Sequence, residues 1–374
     1  MNYKRILIFR PDNIGDVLLF SGALKHIRDL YPGAYITLAV QPHIVNLVEL
    51  CPFIDACVSI DALTWWGTVK NSIIPYFHAC KRLVRKLNRL WNLLLGPFDT
   101  VIYPVKSPQA AHLQILRDLN VKKTFGITGC NVNAPQGGYP PGLQPESLFT
   151  NGFDVSGYDP WRHEFFTTLD FLKFLGCKVS DINDIKPEVW VADSDRNLLE
   201  NIQGNDQNII GLFPGGSFKE KCWNPENYET LGRLMGDKLF VIFGGSEDAG
   251  VADQVKSFLV KGAPNAGIIN LVGKTTLREL YKSISACNLI ISMDSSGLHL
   301  AIASETHTIA IVGWWHYGRF IPWGDPKKHI FLTKKVECFH CNVNCKMDRF
   351  ECIQGVTPEM VAYNANNRPL YQYK

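Results

Sequence analysis

Three short turns hold residue types that could bind and stabilise a charged group. The first follows the apolar run Ile209–Phe213 and reads Pro214-Gly215-Gly216-Ser217, with Lys219 and Lys221 close behind. Two glycines let backbone N–H groups approach a phosphate, a serine adds a hydroxyl donor, and a lysine supplies charge. The same residues would also make a plain strand-to-helix turn. The second, Gly244-Gly245-Ser246-Glu247-Asp248, follows Leu239–Phe243; Glu247 could accept hydrogen bonds from a ribose diol or simply open a helix. The third, Asp294-Ser295-Ser296-Gly297-Leu298-His299, follows Leu289–Ser292 and carries a histidine that is either a ligand or a core residue. Singly each is weak. Together, successive β-α turns bearing Ser, Gly, Lys, acid and His describe a nucleotide diphosphate site.

A fourth loop, Arg10-Pro11-Asp12-Asn13-Ile14-Gly15-Asp16, lies between the apolar run Arg5–Phe9 and a helical pattern. Asp12 and Asp16 are placed to cap that helix or, at the carboxyl end of a strand, to serve as a general base. A single glycine there is no dinucleotide fingerprint, which disfavours a NAD-dependent oxidoreductase. Asp193-Ser194-Asp195 matches the D-x-D pattern of metal-dependent transferases but precedes a helical segment between the two halves of the chain, and reads as a solvated helix cap. Of the 11 cysteines, Cys338, Cys341, Cys345 and Cys352 cluster, with His340 among them. An odd cysteine total scattered over a long chain argues against a disulfide frame, so the cluster reads as a structural zinc or iron site, the alternative being reduced buried thiols.

At these residues the sequence resembles glycosyltransferase family 9, the ADP-heptose:lipopolysaccharide heptosyltransferases and their relatives. The matching positions are Ile14-Gly15-Asp16, Lys221-x-Trp223, Gly-Gly-x-Glu247 and the turn from Asp294 to His299, which together span nearly the whole chain. The resemblance implies an α/β GT-B fold, two Rossmann-like domains with a cleft between them, acceptor on the first and nucleotide sugar on the second. It implies Asp16 as base, Gly216, Ser217 and Lys221 at the diphosphate, Glu247 at the ribose, and Asp294, Ser295, Ser296, Gly297 and His299 against the donor sugar and phosphates. Lys221, Ser217 and helix N-termini could stabilise a departing diphosphate without a divalent metal, so no catalytic metal is expected, and some protein-modifying members that the chain resembles hold iron with cysteines. Two positions depart from the family pattern: Ser296 stands where a glycine is common, with Gly297 following, and Gly216 stands where heptosyltransferases commonly carry a hydroxyl residue.

These loops need strands to end on and helices to follow. Arg5–Phe9, a helical pattern running to Leu30, and Tyr35–Val40 make a βαβ start; 99–105 is a further strand and 106–119 a loop and helix. Residues 129–162, rich in Gly, Pro and Asn, read as a long irregular loop, 161–175 as a helix, and 176–187 as the connection. Strands at 209–213, 239–243, 267–271, 289–292 and 308–312 then alternate with helices beginning near Asn224, Ala249, Thr276 and Gly297. Domains are therefore expected at 1–180 and 188–356, with a terminal helix and tail over 357–374. Residues 313–323, with three tryptophans and Arg319, could frame the donor base or an anionic acceptor, or serve packing alone.

The remaining composition sets limits. A formal charge of +3 on 374 residues is too small to argue for nucleic acid, and no apolar run approaches the ~20 residues of a membrane span. The N-terminus lacks the pattern of a signal peptide, so a cytoplasmic location is expected. Residues 78–95 form a basic amphipathic pattern, with Lys81, Arg82, Arg85, Lys86 and Arg89 opposite an apolar stripe. That pattern suits either a packed surface helix or peripheral contact with the inner face of an anionic membrane. The expected function is inverting transfer of a sugar, ADP-heptose being the leading donor, to a hydroxyl of a bacterial surface glycan or lipopolysaccharide core. A non-catalytic nucleotide-sugar-binding protein and a two-domain sugar-nucleotide epimerase are the rivals.

Overall fold

A computed structural model describes residues 4–61, 97–130, 134–135, 138–202, 208–315, 317–341, 344–347 and 349–367. The basic segment 78–95 lies outside the described residues. The chain divides into two compact units, Met1–Glu188 and Val189–Lys374. No helix among the described residues is long and apolar enough to cross a membrane.

The first unit is built on β1 (Arg5–Phe9), β2 (Tyr35–Val40), β3 (Ala56–Ser59), β4 (Thr100–Tyr103), β5 (Lys123–Thr128) and β6 (Asn151–Asp154), in the spatial order β3-β2-β1-β4-β5-β6. Every pairing is parallel. The second unit repeats the plan with β7 (Ile209–Phe213), β8 (Leu239–Ile242), β9 (Gly267–Asn270), β10 (Leu289–Met293), β11 (Thr308–Ile311) and β12 (His329–Leu332), ordered β9-β8-β7-β10-β11-β12. These pairings are parallel too. In each sheet the order reverses at one point, beside β1 and β4 in the first and beside β7 and β10 in the second. Helices leave those adjacent strands in opposite directions, which opens a crevice at their carboxyl ends.

The central strands read as continuous apolar runs because both faces are covered, and β7 and β10 are buried along their whole length. Four strands were missed in sequence; β5 and β12 are largely buried, whereas the other two lack that signal. β3 is only half-buried throughout, and β6 alternates partly buried with exposed residues. β6 also corrects the reading of 129–162: it pairs with β5 as far as Asp154, so less of that segment is irregular. The first helical pattern proves to be two helices, α1 (Ile14–Ser21) and α2 (Ala23–Leu30). The break falls at Gly22, where a Cβ would lie 2.2 Å from the Lys186 carbonyl oxygen. Residues 176–187, read as a connection, are folded onto these helices. Ile185 is fully buried, Glu188 N–H donates to Ser21 Oγ at 2.7 Å, and His26 Nε2 lies 2.8 Å from the Asp184 carbonyl.

Further helices are α3 (Ala110–Leu119), α4 (Glu164–Leu175), α5 (Asn227–Met235), α6 (Ala249–Gly262), α7 (Leu277–Ser285), α8 (Ser296–Ala303) and α9 (Pro358–Asn366). The last, with Thr357 as N-cap and Pro358 at its first position, packs Val361, Ala362 and Ala365 into the same core as Tyr228 and Leu231 of α5. Trp223 anchors that core: it is fully buried, and its indole N–H donates to the Val356 carbonyl at 2.8 Å.

Candidate functional site

The turns after β10, β7 and β8 are neighbours because those strands are adjacent in the second sheet. After β7 the chain makes Pro214-Gly215-Gly216-Ser217 and a single helical turn, Lys219–Lys221. Here the structure distinguishes the two lysines of the turn by burial. Lys219 is exposed, whereas Lys221 is buried to 9% exposure. The Lys221 ammonium lies 4.9 Å above the Phe218 ring, 5.2 Å above the Trp315 ring and 4.0 Å from Asp294 Oδ2. Among the described residues it makes no hydrogen bond. Ser217 is exposed, and Gly216 lies over the lysine, its Cβ position 3.2 Å from that of Lys221.

Asp294 directly follows β10 and Ser295 caps α8 with extended backbone. The first turn of α8 therefore presents its amide groups beside the lysine-bearing turn of the neighbouring strand. Gly297 is dictated by packing: a Cβ there would lie 2.3 Å from the Phe213 ring, itself stacked on Phe243 at 5.2 Å. Ser296 is half-buried in the first turn. His299 is buried one turn on, and its Nδ1 accepts the Trp323 indole N–H at 3.0 Å. An indole nitrogen can only donate, so the neutral imidazole carries its proton on Nε2.

Trp315 makes the corresponding bond at the other end of the same turn, donating its indole N–H to Asp294 Oδ2 at 2.7 Å. The tryptophan-rich loop thus reaches inward to orient two side chains. Its Arg319 is likewise buried, stacked on Phe320 at 4.7 Å.

After β8, Glu247 is exposed on a helical turn, Ser246–Asp248. The residue that sequence reasoning passed over is Asp248. It accepts the Gly245 N–H at 3.0 Å, and a Cβ on Gly215 would lie 2.0 Å from its carboxylate. Burial holds its carboxyl above the usual range, and Glu247 adds to the effect. Only the meeting of the β7 and β8 turns reveals this role; in sequence Asp248 is one more acid at a helix start.

In the first unit Asp16 is half-buried in the first turn of α1, at the carboxyl end of β1. The cap position belongs to Asn13 and carries no side-chain cap bond, so neither Asp12 nor Asp16 is the cap. Asp12 instead pairs with buried Arg10 at 3.0 Å. The Arg10 guanidinium also donates to the Pro104 carbonyl and, at 3.2 Å, to the Asp16 carbonyl, tying the Asp16 loop to the end of β4. Lys106 and Ser107, both buried just beyond β4, went unread in the sequence because nothing local marks them; Lys106 Nζ donates to the Pro160 carbonyl at 2.9 Å. His112 on α3 lies 3.4 Å from the Tyr103 hydroxyl, and burial lowers its pKa.

Asp195 is no solvated helix cap. Its carboxylate accepts from Arg278 Nε at 2.8 Å and from Ala192 N–H at 2.7 Å, with both ion-pair side chains about nine-tenths buried. Committed in this way, it is not available as one arm of a D-x-D metal site.

The four clustered cysteines are free thiols, Cys352 buried and Cys338, Cys341 and Cys345 half-buried. Burial raises the Cys352 pKa, and the proximity of the other three raises it further, so four sulfurs share one neighbourhood. Among the described residues no three side chains of metal-ligating type come close enough to hold an ion.

The sequence profile of glycosyltransferase family 9 (heptosyltransferase) matches residues 174–350. Lipooligosaccharide heptosyltransferase 2 of Haemophilus ducreyi is 34% identical over 310 residues, 80% of each chain. Lipooligosaccharide heptosyltransferase 2 of Campylobacter jejuni is 26% identical over 167 residues, 44% of this chain and 51% of that one, so this match spans about half the relative's length. Among solved structures, a family 9 glycosyl transferase from Veillonella parvula superposes with a TM-score of 0.73 at 20% identity, covering 98% of this chain and 97% of the other.

Proposed function

We propose that this chain, which belongs to glycosyltransferase family 9, is an inverting transferase that moves a sugar to a hydroxyl of a bacterial surface glycan or lipopolysaccharide core, with ADP-heptose as leading donor. Its two parallel sheets are the Rossmann-like domains of a GT-B fold. The observation that carries the proposal is the buried, hydrogen-bond-hungry Lys221 beside the Gly215-Gly216 turn and the amino end of α8.

The chemistry follows from charge. When the nucleoside diphosphate leaves, negative charge grows on phosphate oxygens. Lys221, Ser217 and the first-turn amides of α8 are donors already in place for it, which reduces the reorganisation needed. His299, held as the Nε2–H tautomer by Trp323, stands one turn into α8 from the same amides. Glu247 is assigned to the ribose diol. Asp16, at the carboxyl end of β1, is assigned as the base that takes the acceptor proton as the hydroxyl attacks the anomeric carbon from the face opposite the leaving group. Inversion results from that single displacement.

No step runs through a metal. Cys338, Cys341, Cys345 and Cys352 are assigned, on residue type and spacing, to a structural zinc or iron ion; the four thiols share one neighbourhood but would have to draw together to ligate it. Elemental analysis without stoichiometric zinc or iron would remove that assignment. The basic segment 78–95 is assigned to contact with anionic lipid at the inner face of the membrane. Failure of the protein to float with anionic liposomes would remove it.

The decisive experiment is Asp16→Asn. ADP binding is expected to stay at the wild-type level while transfer from ADP-heptose is abolished; retained turnover would defeat the assignment of the base. Product analysis with wild-type protein separates the rivals, because an epimerase needs no acceptor and a binding protein consumes no donor.

A further inference from the structure

We propose that Trp315 is a positioning residue for the donor site, one that acts on Lys221 through Asp294. The inference rests on the reading of Lys221 as a diphosphate ligand.

Trp315 has no exposed surface, yet its indole N–H requires a partner. It finds Asp294 Oδ2 at 2.7 Å, the same oxygen that lies 4.0 Å from Lys221 Nζ. The face of the same indole lies 5.2 Å from that ammonium. One side chain therefore acts on both members of the pair. Its ring attracts the cation, and its N–H occupies a carboxylate lone pair that would otherwise draw the ammonium into a direct hydrogen bond. At 4.0 Å the lysine and aspartate attract each other electrostatically but lie beyond hydrogen-bond contact. The three ammonium protons are then left for an incoming anion. Without the indole N–H, the carboxylate is expected to close on the lysine and compete with diphosphate for those protons.

The surroundings hold the ring in place. A Cβ at Gly313 would lie 2.0 Å from the Trp315 ring, so only glycine admits the indole. Phe350 closes the far side edge-on, at 6.0 Å and 73°.

The test is isothermal titration of ADP and donor kinetics for Trp315→Phe, which keeps an aromatic ring and removes the N–H. ADP affinity is expected to weaken about tenfold, the scale of a lost hydrogen bond to a charged group, with donor KM rising alike and kcat changing far less. In the Asp294→Ala background the same substitution is expected to change affinity less than twofold, since the group through which it acts is gone. If Trp315→Phe fails to fold, a benzothiophene side chain at position 315, similar in shape and lacking the N–H, takes its place with the same expected result. Unchanged affinity, or an equal loss with and without Asp294, overturns the proposal. Lys221→Met, measured alongside, separates the two readings. If it leaves ADP binding intact, the diphosphate assignment fails and this inference with it; if it weakens binding while Trp315→Phe does not, only this inference fails.

Discussion

Replacing Lys221 by methionine removes the charge while keeping an apolar stem against Phe218 and Trp315. Two effects follow, and their sizes differ. On stability, a unit charge pair at 4.0 Å is worth roughly 4 kcal/mol gross at an effective dielectric of 20. Stranding a buried carboxylate commonly costs about 3–5 kcal/mol. Asp294 is not stranded, because it keeps the Trp315 N–H at 2.7 Å, and burying a charged ammonium itself carried a desolvation penalty. A net loss of about 1–2 kcal/mol is therefore expected. On binding, loss of charge-assisted hydrogen bonds to a diphosphate amounts to about 1.5–3 kcal/mol, or roughly a tenfold to hundredfold rise in the ADP Kd. Thermal unfolding with and without ADP measures both: the variant melts slightly lower alone and loses most of the stabilisation that ADP gives the wild type. A Kd within twofold of wild type in a folded variant would refute the reasoning, since it would mean that the buried ammonium does not face the phosphates.

Two further substitutions probe the supports of the site. Gly297→Ala forces the Phe213 ring, 2.3 Å from the added Cβ, against Phe243, and is expected to cost about 1–3 kcal/mol as overpacking, offset in part by the better helix propensity of alanine; an unchanged melting temperature would show that the ring yields freely. His329 is buried at the start of β12 with its pKa lowered to about 4, chiefly by burial. The unfolded imidazole takes its proton near 6.5 and the folded one only near 4, so the stabilisation is complete above pH 6.5 and is lost as pH falls through that window. Over the window the wild type should lose about 3 kcal/mol more stability than His329→Phe, and parallel stability curves for the two would contradict the assignment.

Most of the parallel strands buried on both faces were legible in sequence, although β5 and β12, largely buried too, were not read as strands. Ile209–Phe213 and Leu289–Met293 announce themselves as apolar runs, whereas the half-buried β3 and the alternating β6 do not. Gly22 shows a limit of a different kind. Helical periodicity runs through it unbroken, and the helix divides there because Ile185 and Lys186, more than 160 positions away, press against its Cα.

The site divides along the same line. Local sequence alone determined that glycine turns, a lysine, acids and a histidine follow consecutive strands, because turn chemistry and strand ends are short-range properties. Only tertiary structure decided which of these residues face one another. It buries Lys221, the lysine that the Lys-x-Trp match had already singled out, and leaves Lys219 exposed. It added Asp248, and it turned Trp315 and Trp323 inward onto Asp294 and His299, because the strand order places the ends of β8, β7, β10 and β11 side by side. It also took Asp195 out of a metal-like motif by pairing it with Arg278, 83 residues away. Spacing along a chain can state which groups are near a turn; which groups share a charge, a proton or a ring face depends on distances that only the folded sheet sets.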